Sequence, residues 1–220
     1  MFARRIATLV CLFSAVCCFG GPEHVTPVTR EVVVYVKTVD GQPTQPLDEM
    51  KREAAVLMET AGYRIAWRNL RESAGMEVES SVVVLELRGI CDVPQSPAAR
   101  LPGGSASLAS TAVVNGEVLP FAWLECETLS RLLGPALEKY DSKQDFLYGR
   151  AMGRLVAHEL YHILAKTREH GAGGIAKTSF SAKDVLSDRF HFDLTTLAKL
   201  REPVSASDDA TAGGLEETGR

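Results

Sequence analysis

Residues 157–170 read AHELYHILAKTREH and hold three of the five histidines in the chain. His158 and His162 stand four apart with Glu159 between them, an HExxH pattern. On an α-helix, residues at i and i+4 differ by roughly 40° about the axis and about 6 Å along it. Both imidazoles then face one side, a spacing at which two ring nitrogens reach one zinc ion at about 2.0–2.1 Å. Glu159 lies beside them, placed to take a proton from a metal-activated water without being a ligand. A third protein ligand is needed if one position is to stay open.

His170 is the best placed of the remaining histidines. The helix should run from about Gln144 to Lys166, after which the chain can turn and bring His170 back. His24, near the N-terminus, and His191, far beyond, are less well placed. The expected site is therefore Zn2+ held by His158, His162 and His170, with Glu159 as general base. Asp184 and Asp188 follow in sequence and are alternatives, either as third ligand or as a partner orienting a ligand histidine. Glu169 is a weaker alternative, since zinc favours the softer nitrogen donor beside it. Tyr161 and Tyr148 lie within the same helix. Packing is their expected role, with substrate orientation as the alternative.

The surrounding chain reads as α+β. Glu31–Val39 (EVVVYVKTV) is a β-branched run, an expected strand. Leu47–Ala61 has apolar residues at helical period, and Gly62 is a stop signal. Tyr63–Leu70 and Ser81–Leu87 are further expected strands, the latter apolar enough for a central one. Residues 92–110 read as a long loop. Asn115-Gly116 is a two-residue hairpin signal joining Ala112–Val114 to Val118–Leu124. The remainder reads as mainly helical. Leu129–Glu138 is a short helix interrupted at Gly134-Pro135, and Ser142 with Asp145 resembles a capping box. Gly149 and Gly153, one turn apart, fit close packing of the long helix on the sheet. Residues 171–180 form a Gly-rich loop, and Ser181–Leu200 a last helical segment.

Residues 1–21 (MFARRIATLVCLFSAVCCFGG) have a basic start, an apolar stretch and small residues after it, the pattern of a signal peptide. An uncleaved anchor or a lipoprotein is the alternative. The chain is thus expected to be secreted or periplasmic, with one domain over 22–202 and a disordered tail over 203–220. Removing residues 1–21 leaves two cysteines, Cys91 and Cys126, an even pair that reads as a disulfide or as two buried thiols. No later apolar run is long enough for a membrane span. The formal charge of -4 argues against a nucleic-acid surface.

The order of elements over roughly 31–200, and the motif over 157–176, resemble the zincin metallopeptidases and within them the metzincin-like branch. That resemblance implies a twisted mixed sheet, an active-site helix bearing HExxH, a third His beyond it and a turn under the metal. It implies a peptide or protein substrate, with Glu159 as base and then proton donor to the leaving amine. It also implies an edge strand, here Val118–Leu124, to which a substrate chain could add. Three positions depart from the pattern. Ala165 stands where Gly is usual, Arg168 where the third His is usual, and Ala176 where the turn has Met. These departures motivate a second expectation, a non-catalytic exported binding protein on a degenerate zincin scaffold, which keeps zinc as a clamp or has lost it.

Overall fold

The computed structural model describes residues 29–72, 81–93 and 107–202. The expected signal segment, His24, most of the 92–110 loop and the tail after 202 lie outside the described residues. The fold is α+β. Its one sheet has five strands: β1 (Arg30–Lys37), β2 (Tyr63–Asn69), β3 (Ser81–Arg88), β4 (Ala109–Val114) and β5 (Glu117–Glu125). Their spatial order is β2-β1-β3-β5-β4. The first four are mutually parallel, and β4 runs antiparallel to β5.

Parallel neighbours need a crossover. Between β1 and β2 it is α1 (Thr44–Thr60). The helix ends as the sequence predicts: Gly62 takes φ +88° and its N–H reaches Glu59 O. β3 is central, yet only alternate residues (Val83, Leu85, Leu87) are fully buried. They share one face with Val34, Val36, Ala122 and Leu124, and the helices cover that face.

The hairpin turn is at Asn115-Gly116, both with positive φ (52° and 87°), as a two-residue turn matching strand twist requires. β4 starts earlier than expected, because Ala109 and Ser110 pair with Leu124 and Trp123. The edge assignment is corrected: β5 is enclosed between β3 and β4, so the edge strand on this side of the sheet is β4.

After β5 comes α2 (Cys126–Leu137), three residues ahead of its expected start, with Pro135 in its last turn. A 3-10 stretch over Glu138–Lys143 leads into α3 (Gln144–Leu164). The expected Ser142–Asp145 capping box is not made. The preceding turn already takes up the N–H of Gln144, through Asp141 O, and α3 has no side-chain cap.

Gly149 and Gly153 pack α3 against α1, not against the sheet as expected. A Cβ on Gly149 would lie 2.5 Å from Pro46 O, and one on Gly153 2.6 Å from Met50 O. Arg154, on the same helix, is buried, donates to Glu53 of α1 and to Val185 O, and lies over the Phe190 ring.

The last helical segment is two helices, α4 (Ala182–Leu186) and α5 (Leu194–Arg201). Two N-caps divide it. Ser181 and Asp184 form a capping box, and Asp193 accepts from Thr196 N. Cys91 and Cys126 form a disulfide, Cα–Cα 4.8 Å, tying the end of β3 to the start of α2. No helix among the described residues is long and apolar enough to cross a membrane.

Candidate metal centre

α3 is buried over most of its length, and His158, Glu159 and His162 are among its buried residues. Each histidine on the helix has a backbone partner at Nδ1. His158 Nδ1 lies 2.6 Å from Ile175 O, and His162 Nδ1 2.8 Å from Thr167 O. A carbonyl oxygen only accepts, so both rings carry their proton on Nδ1. Both Nε2 atoms therefore present lone pairs, and they face each other at 3.1 Å. Two facing lone pairs repel unless a cation lies between them or a proton is shared. That arrangement is what a metal site needs, including carbonyl partners that fix the ring orientation.

The loops supply those carbonyls for local reasons. Lys166 takes φ +45° and reverses the chain after α3, and Thr167 N then donates to His162 O. Ala165 keeps φ -88°, so the reversal needs no glycine at 165. The Ile175 carbonyl lies in a 3-10 turn, Gly174–Ala176. Gly174 has φ +61° and approaches His191 O so closely that a Cβ would lie 2.4 Å from it. Ile175 N donates to that same oxygen, and Gly171 N to Ala176 O, closing the loop.

This loop returns His170 to the helix. Its ring centroid lies 5.3 Å from that of His158 and 4.7 Å from that of His162. One ligand nitrogen from each of the three rings lies within 4.8 Å of the others, so His158, His162 and His170 could hold a metal ion. His170 is exposed where the other two are buried. Burial holds His158 down at about 3 and lowers His162 and His170 as well. All three are then neutral imidazoles near pH 7, the form that ligates metals. Three neutral nitrogens with free lone pairs fit a borderline-soft divalent ion such as zinc.

The alternative ligands are placed elsewhere. Asp184 is engaged with Ser181 and Lys177. Asp188 is 96% exposed and faces Arg150. Glu169 pairs with Lys199 of α5 at 2.5 Å, and its carbonyl accepts from the Tyr161 hydroxyl. Tyr161 thus packs and steadies the His170 loop. Tyr148 packs too, donating to Cys126 O. His191 contributes its carbonyl, not its ring.

Glu159 is 4% exposed, and burial pushes its carboxyl up to about 7. The hydroxyl of Thr111, on β4, opposes that shift by donating to Oε2 at 2.6 Å. A cation on the histidines would likewise favour the charged carboxylate.

No family model, curated protein or solved structure matches the chain.

A cleft of about 380 Å³ opens over the three histidines and Glu159. β4 supplies one wall, through Ser110, Thr111 and Val113, and the His170 loop the other, through Thr167 and Arg168. Sequence reasoning did not single out Thr111, the Ile175 and Thr167 carbonyls, or Phe180, whose ring meets His158 edge-on at 5.2 Å. None has a local signal. Each contact joins residues distant in sequence or depends on a loop conformation.

Proposed function

We propose that this chain is a zinc metallopeptidase of the zincin type, exported to an oxidising compartment. The observation that carries this reading is the pair of Nε2 lone pairs of His158 and His162, with His170 returned beside them and a buried Glu159 on the same helix. The Cys91–Cys126 disulfide supports the compartment.

His158, His162 and His170 would hold the metal. Bound there, zinc polarises a carbonyl and acidifies a water, which is the chemistry of peptide hydrolysis. The chain's own residues do the rest. Glu159 accepts a proton on its carboxylate and returns it to the leaving amine. The walls of the cleft, β4 and the His170 loop, hold an extended peptide between them.

The test is Glu159→Gln. That variant should retain one zinc per chain by elemental analysis and lose peptide hydrolysis. Loss of zinc from it would contradict the role given to Glu159. Zinc binding without any hydrolysis by the unsubstituted chain would leave the non-catalytic binding protein as the better reading.

A further inference from the structure

Thr111 is 48 residues from Glu159 in sequence, and its hydroxyl lies 2.6 Å from Glu159 Oε2. That is the length of a short, direct O–H···O hydrogen bond. The same hydroxyl lies 3.4 Å from the Glu159 carbonyl oxygen. Thr111 pairs with Ala122, a core residue of β5, so its side chain is on the helix-covered face. The register of β4 against β5 shifts between Thr111 and Val113, an irregularity of the kind that re-aims a side chain.

A glutamate carboxylate is otherwise loosely held, because its last torsion is broad and roughly two-fold. Among the described residues, Thr111 is the one side chain with a hydrogen bond to this carboxylate. We propose that Thr111 is the positioning residue of Glu159. Its hydroxyl holds Oε2 and leaves Oε1 to work in the cleft. This rests on the peptidase reading. It adds that β4 is both a wall of the cleft and the holder of the base, so a displacement of the strand re-aims the carboxylate.

Val has the shape of Thr without the hydroxyl, and Ser the hydroxyl without the methyl. Thr111→Val and Thr111→Ser are compared with the unsubstituted chain, each loaded with zinc. Turnover is measured on a quenched-fluorescence peptide library, and zinc by elemental analysis. The Glu159 side-chain carboxyl carbon is followed by 13C NMR, its resonance assigned by its loss in Glu159→Gln. Thr111→Val should keep one zinc and an unchanged KM, with kcat lower by about 10–100-fold, the scale of a misplaced catalytic group. Its carboxyl resonance should move. Thr111→Ser should recover most of kcat and return the resonance. Full kcat and an unmoved resonance in Thr111→Val would overturn the proposal. So would a Ser variant as impaired as the Val variant, since the hydroxyl would then not be the active feature. If the unsubstituted chain cleaves nothing, the peptidase reading falls, and the resonance alone decides whether Thr111 sets the carboxylate.

Discussion

His158 and His162 turn their Nε2 atoms toward each other at 3.1 Å while each commits Nδ1 to a backbone carbonyl. With neither a cation nor a shared proton between them this costs stability, because two lone pairs face each other in a buried place. Metal should therefore stabilise the fold as well as arm it. A ligand at 100 times its Kd adds about 2.7 kcal/mol. Thermal melting in zinc against melting in a chelator should show that gain. A His158→Ala/His162→Ala chain should melt at the same temperature in both.

His170 sits on an exposed loop, held from behind by Tyr161 and by the Glu169–Lys199 pair. His170→Ala should fold normally and weaken zinc by more than the roughly 10–100-fold that loss of a ligand's hydrogen-bond partner costs. Competition with a chelating dye measures it. Unchanged zinc affinity would remove His170 from the ligand set.

Gly149 brings α3 against α1, where a methyl group would overlap Pro46 O and the Glu49 side chain. Gly149→Ala should lose stability by about 1–3 kcal/mol, the range for overpacked cores, read from urea unfolding. A neutral result would mean that α1 and α3 sit further apart.

The Asp184 carboxylate accepts from Ser181 and Lys177, which holds it down at about 2 from an ordinary 3.8. A depressed carboxylate stabilises the fold above its unfolded value and loses that contribution as pH falls through the folded one. Asp184→Asn should therefore be the less stable chain at pH 5. The group is partly exposed, so the difference should not exceed about 1 kcal/mol. Between about pH 4 and pH 2 the two chains should converge. Urea midpoints over that window are the check.

Much of this was legible in the sequence, for identifiable reasons. The two helix histidines face one side because i and i+4 always do. Asn115-Gly116 marks its hairpin because few residues accept two positive φ values in succession. The return of His170 was legible only as a requirement. Its route, through a left-handed Lys166 and the approach of Gly174 to His191 O, was not. Strand order was not legible either, so the edge fell to β5 in the sequence and to β4 in the structure. The helix expected over 181–200 hid two caps, Ser181 and Asp193, which read as ordinary polar residues until the backbone turned at each. The Thr111–Glu159 contact had no sequence signal, since it joins a strand to the helix packed on it, 48 residues away in sequence.

The Cys91–Cys126 bond makes the stretch between its two ends a covalent ring, and β4 and β5 lie inside that ring. A single cut of the backbone anywhere in it opens the ring without dividing the molecule. A chain nicked there would keep both walls of its cleft in one covalent body. The nick would be silent on a non-reducing gel and would appear as two bands only once the sulfur bridge is reduced.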